Sequence, residues 1–202
     1  MVLLESLLLG FGIGLSGALA PGPTLFATIS GAVRHGPLVG ARVAGGHLLV
    51  EGVLAVALVL GIAPLILSQR TAIAVVGGVA LVGFGILTVR SARSASLAPA
   101  AGDERVGPFL AGVLTSVANP YFWLWWATLG GALLAGALAT STGDAALFLT
   151  GHGTADLVWF LLVGAAVARG SAFLPDRAYR LLLGVCGIAL VAIGAVYAAT
   201  AF

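Results

Sequence analysis

The sequence predicts an all-α, polytopic membrane protein of six transmembrane helices, and three observations carry that prediction. Hydrophobic residues make up 60% of the 202-residue chain and charged residues only 8%, against roughly a quarter charged in a soluble domain. The apolar residues gather into six runs, each close to or beyond the ~20 residues that one helical crossing of a bilayer needs. The runs also lack the polar alternation of barrel strands: LLLGVCGIALVAIGAV is apolar on every face. Helices are then the structure that satisfies its own backbone in lipid.

The first run, Val2 to Val33, is interrupted by Pro21-Gly22-Pro23. Ala18-Leu19-Ala20 has the form of a signal-peptide cleavage site, but Glu5 stands where a basic leader would be needed, so the segment is expected to be retained. The second run, Leu38 to Leu67, contains His47 and Glu51, and the third spans Thr71 to Val89. A small, polar, mixed-charge stretch, SARSASLAPAAGDER, reads as a linker over residues 91–106. The fourth run, Pro108 to Ala139, is interrupted at Asn119-Pro120. A helix starting near Gly107 would place Trp123, Trp125 and Trp126 roughly 24 to 29 Å along its axis, where an interfacial aromatic belt is expected; a tilted helix reaching Ala139 would instead place them near the cavity, where one could cover a substrate. The fifth run, Ala145 to Ala168, contains His152 and Asp156; the sixth runs from Ala178 to Phe202.

Arginine sets the expected orientation, because Lys and Arg concentrate in cytoplasmic loops. Arg34, Arg42, Arg90, Arg93, Arg105, Arg169, Arg177 and Arg180 fall on one side of a six-crossing arrangement, and Arg70 alone on the other. Both termini are therefore expected outside a cell membrane, with the linker in the cytoplasm. The arginines form no patch, so no nucleic-acid partner is expected. The single cysteine, Cys186, excludes an intramembrane dithiol carrier.

The two halves repeat. FGIGLSGALAPGP followed by GGHLLVEGVL and VGGVALVGFGILTV is matched by FLAGVLTSVANP, TGHGTADLVW and VCGIALVAIGAVYA, in the same order and offset by about 98 to 109 residues. Residues 1–90 and 107–202 then form two three-helix repeats. Because three is odd, the second must insert upside down relative to the first, the inverted-repeat plan of secondary transporters.

Two sets of residues within the repeats carry chemistry. His47 with Glu51, and His152 with Asp156, stand four apart and so share a helix face. An acidic residue facing lipid at a helix centre costs about 2.5 to 3.5 kcal/mol, so these faces should meet each other or water. They serve either as polar glue between helices or as a site for coupling protons or ions. The second set is Pro21, Gly22, Pro23 and Thr24 with Asn119 and Pro120. Prolines free backbone carbonyls, and a half-helix amino terminus at Thr24 favours a carboxylate. Paired interruptions point to a transporter's substrate site, although a break that simply ends a span near the surface fits the spacing too. His35, beside Arg34, is expected to be solvated.

No His-Glu-x-x-His or Gly-x-Ser-x-Gly motif and no Gly-rich phosphate loop is present. Neither an enzyme nor an ATP-driven pump is indicated, and no cofactor or resident metal is expected. One alternative keeps transport but makes a divalent metal the cargo, held by His47, Glu51, His152 and Asp156. A membrane enzyme using the His-carboxylate pairs as acid and base is the other alternative. Small-residue faces such as GGVALVGFG permit close packing within one subunit or between two copies, so a homo-oligomer stays open.

With these residues in view, the chain resembles the lysine exporter family, the LysE/RhtB group of small amino-acid efflux transporters. The resemblance rests on Gly17-x-x-x-Pro21-Gly22-Pro23, on Gly36, Gly40 and Gly46, and on Gly112 followed by Asn119-Pro120. It implies ion-gradient-driven export of amino acids or related small metabolites, with Pro21, Gly22, Pro23, Asn119 and Pro120 lining the transport site. Many relatives carry Asn or Asp after the Pro-Gly-Pro and Lys after the Asn-Pro, where this chain has Thr24 and Tyr121.

Overall fold

The computed structural model describes residues 2–19, 22–93, 106–171 and 175–200, and these are helical with no strand among them. In chain order the helices are α1 (Val2–Ala18), α2 (Pro23–His35), α3 (Val39–Val59), α4 (Ala63–Ser68), α5 (Arg70–Ala92), α6 (Pro108–Val117) and α7 (Pro120–Trp125). A π-helical stretch, Trp126–Gly130, leads into α8 (Gly131–Thr140), followed by α9 (Thr142–Ser171) and α10 (Asp176–Ala199). Five helical stretches are long and apolar enough to cross a membrane, and α1 with α2 makes a sixth if that pair counts as one broken span.

Both expected interruptions are present, and local chemistry explains each. The axis turns by 76° between α1 and α2. Pro23 occupies the first turn of α2, where its missing N–H costs nothing. In the second half, Asn119 lies in the extended region (φ −88°, ψ 108°), as a residue before proline must. Its side-chain oxygen accepts from Tyr121 N at 3.1 Å and caps α7. The apolar run expected to end at Leu67 is itself divided. Gly61 adopts a φ of 91°, which ends α3 and lets the chain re-enter as α4. At 30 residues α9 is about 45 Å long, so it tilts in a ~30 Å core or projects beyond it.

Packing pairs α1 with α9, α6 with α3, α5 with α10, and α3 with α9 at the centre. Small residues set these distances, as expected where lipid supplies no hydrophobic drive between helices. A Cβ on Gly151 would lie 2.8 Å from Phe11 N of α1, and one on Gly46 would lie 2.9 Å from Val113 N of α6. Gly77, Gly78 and Gly85 of VGGVALVGFG pack within the chain: a Cβ on Gly78 would meet Gly194 O of α10 at 2.7 Å, whereas nothing lies within 4 Å of one on Gly83. That face is therefore occupied by this subunit's own helix. The main apolar core lies beside the α3–α9 contact and includes Leu54, Phe122, Trp126, Leu134 and Phe148.

Candidate functional site

The α3–α9 contact brings the two His-carboxylate pairs together. His152 Nε2 lies 3.0 Å from Glu51 Oε1 and 3.4 Å from Asp156 Oδ2. His47 Nε2 lies 3.4 Å from Glu51 Oε1 and 4.0 Å from Asp156 Oδ2. Four groups separated by about a hundred residues thus form one buried tetrad, with Glu51, His152 and Asp156 each at most 6% exposed. The i, i+4 spacing aligned each pair; the glycine before each histidine admits the α6 or α1 backbone beside it.

Hydrogen bonds around the tetrad fix one ring. Ser116 of α6 donates its hydroxyl proton to Gly112 O at 2.7 Å, and His47 Nδ1 stands 2.6 Å from the same hydroxyl oxygen. With that one proton on Gly112 O, the hydrogen-bond pattern assigns His47 Nδ1 as the donor. In a neutral His47 the lone pair then sits on Nε2 and faces two carboxylate oxygens. His152 donates from Nε2 to Glu51, its Nδ1 being buried without a hydrogen-bond partner. Asp156 Oδ2 is also buried without one. Trp126 Nε1 donates to Glu51 Oε1 at 3.1 Å. The centre therefore has a surplus of acceptors over protons, an arrangement that a proton or cation completes.

Beside the tetrad lies a cavity of about 280 Å³. His47, His152 and Asp156 form its polar floor, and Gly22, Pro23, Thr24 and Asn119 from the two helix breaks form a wall. Trp125, Phe122, Phe160 and Tyr197 are among the aromatic residues that line the rest. No arginine is among the described residues lining it. Aromatic rings also brace the imidazoles: Phe122 and Phe160 flank His47 at centroid distances of 5.4 and 5.9 Å, and Trp125 and Trp126 flank His152 at 5.1 and 4.9 Å.

The remaining sequence-selected residues are placed as follows. Pro120 is fully buried against Gly77 of α5 and lies outside the cavity lining. Pro21 lies outside the described residues, as do linker positions 94–105. The carbonyls freed at the second break are partly re-used: Val117 O accepts from Trp123 Nε1 at 2.8 Å, and Ser116 O from Asn119 N at 3.1 Å. Two of the three tryptophans depart from the expected belt. Trp126 is 1% exposed and bonded to Glu51, and Trp125 lines the cavity. The short α6 and the turn at Asn119 carry them to the protein centre, where an unbroken helix would have carried them to an interface. Ser116 had no sequence signal beyond its place one turn before Pro120.

A second cavity of about 280 Å³ is lined by Arg34, His35, Ser30 and Thr88. A third, of about 220 Å³, shares Ser30 and Phe84 with it and reaches Pro23 and Thr115. Pro23 thus borders both this path and the central cavity, and the Thr115 and Thr24 hydroxyl oxygens stand 3.2 Å apart, the Thr115 proton going to Ala111 O at 2.7 Å.

A bundle of apolar spans with a buried ionisable centre beside a small-molecule cavity defines a polytopic membrane transport protein. The family model of the LysE type translocator matches residues 15–200, nearly the whole chain. The chain belongs to that family, which is one of transporters and not of enzymes. No curated protein and no solved structure matches it.

Proposed function

We propose that the protein exports small amine-bearing metabolites, amino acids or close relatives, from the cytoplasm by alternating access, driven by a proton or other ion gradient. The observation that carries this reading is the single cavity in which the helix breaks meet the His-carboxylate tetrad. Its chemistry suits a zwitterion. Asp156 and the aromatic wall of Trp125 and Phe160 favour an ammonium group. The α2 amino terminus, with no side-chain cap at Gly22, favours a carboxylate. Asn119 has its Oδ1 engaged with Tyr121 N, which leaves its NH2 to donate to a ligand.

In this reading His47, Glu51, His152 and Asp156 are the ion-coupling centre, and Gly22, Pro23, Thr24 and Asn119 contact substrate, with Pro21 and Pro120 shaping the breaks. Residues 1–90 and 107–202 are the inverted repeats, the linker 91–106 is cytoplasmic and both termini are outside. The pairing of α1 with α9, mirrored by α6 with α3, supports that symmetry. The path lined by Arg34 and His35 would then be the cytoplasmic approach, closed at Pro23 and the Thr24–Thr115 contact.

Because Trp125 and Trp126 adjoin the cavity, their fluorescence tests substrate binding directly. Titrating amino acids into the purified protein should give a saturable change for one chemical group of them. No response to any amino acid, in protein that is folded, would overturn the substrate assignment.

A further inference from the structure

We infer that the tetrad is a four-ligand site for one divalent metal ion of the Zn²⁺ class, which ties α3 to α9. The inference builds on the reading of these residues as an ion centre and goes beyond it in naming the ion chemistry. Ligand atoms from His47, Glu51 and Asp156 already lie within 4.8 Å of one another. His152 Nε2 closes the set at 3.0 Å from Glu51 and 3.4 Å from Asp156. In a tetrahedral zinc site with ligand bonds near 2.1 Å, neighbouring ligand atoms stand about 3.4 Å apart. Four of the six edges such a site has, the His–carboxylate separations of 3.0, 3.4, 3.4 and 4.0 Å, lie around that value, and Glu51 and Asp156 offer oxygens within 4.8 Å of each other.

Four features point the same way. The donor set is two imidazole nitrogens and two carboxylate oxygens, which suits zinc and its neighbours; calcium needs six or more oxygens, and magnesium an octahedral oxygen shell. Two carboxylates and a divalent ion sum to zero charge, the favourable balance for a buried centre. Ser116 accepts the proton of His47 Nδ1 and so holds that ring in the tautomer that offers Nε2 to a metal. Asp156 Oδ2, buried and without a hydrogen bond, is an unused ligand aimed into the set. His152 must move its proton to Nδ1 on ligation, so His47 is the better prepared ligand.

The test is equilibrium binding to the untagged full chain in detergent, stripped with a chelator and titrated with Zn²⁺, Ca²⁺ or Mg²⁺. We expect one Zn²⁺ per chain with a rise in melting temperature, and no comparable effect of Ca²⁺ or Mg²⁺. His47→Ala should abolish that binding, and Ser116→Ala, which changes no ligand, should weaken it about 10- to 100-fold. The Ser116 variant keeps the test decisive if His47→Ala does not fold. Absence of stoichiometric Zn²⁺ binding, equal binding of Ca²⁺, or affinity unchanged in Ser116→Ala would overturn the site. Binding is read without transport. Loss of the metal site alone therefore leaves the export reading standing, whereas metal binding without a transported amino acid overturns only the export reading.

Discussion

Substituting Gly112 by alanine tests whether close helix approach organises the site. A Cβ at Gly112 would stand 2.9 Å from the Val43 carbonyl carbon, closer still to its oxygen, and 3.2 Å from His47 N. All are backbone atoms of α3, so no side-chain rotation relieves the contact and α6 must retreat. Overpacking of this kind costs about 1 to 3 kcal/mol. The retreat also stretches the 2.6 Å contact between Ser116 and His47, and a hydrogen bond between membrane helices contributes on average ~0.6 kcal/mol. Greater helix propensity opposes these losses by at most about 0.8 to 1 kcal/mol. The net expectation is destabilisation of about 0.6 to 3 kcal/mol, together with impaired transport, because His47 loses its orienting partner. Gly12→Ala is the control: nothing lies within 4 Å of its Cβ, so propensity alone should act. Reversible unfolding in mixed micelles gives the stabilities and vesicle efflux gives the activity. If Gly112→Ala proves as stable and active as Gly12→Ala, the packing argument is wrong.

Other substitutions probe the centre itself. Glu51→Gln and Asp156→Asn should each abolish gradient-driven export while leaving expression, and the melting temperature of the metal-free protein, near normal; normal transport by both would remove these carboxylates from the coupling role. Trp126→Phe deletes the donor to Glu51 Oε1 and should destabilise by about 0.6 to 1.7 kcal/mol, the range for polar contacts between membrane helices, as read in the same unfolding assay. Asn119→Ala removes the α7 cap, with an expected cost of ~1 kcal/mol. It should also weaken substrate affinity in the tryptophan titration, and unchanged affinity would exclude Asn119 from substrate contact.

How much of this was legible in the sequence follows from which interactions are local. Apolar run length gave most of the helices, because each must satisfy its own backbone in lipid. The i, i+4 pairs were visible because helical periodicity alone puts His47 with Glu51 and His152 with Asp156 on shared faces. That the two pairs meet depends on α3 packing against α9, a contact between residues about a hundred positions apart that no local pattern encodes. The division at Gly61 was hidden inside an otherwise apolar run. Trp126 reads as interfacial in the sequence because composition cannot distinguish an indole at a headgroup from one bonded to a buried carboxylate. Ser116 escaped notice for a related reason: a serine one turn before a proline is common, and its value here comes from His47 on another helix.

The most direct test of the central claim is efflux of a panel of labelled amino acids from proteoliposomes carrying the protein, with and without an imposed pH gradient. The account predicts efflux of one chemical group of amino acids, accelerated by the gradient and lost in Glu51→Gln. Gradient-independent silence across the whole panel in folded protein, or efflux unchanged by Glu51→Gln, would contradict it.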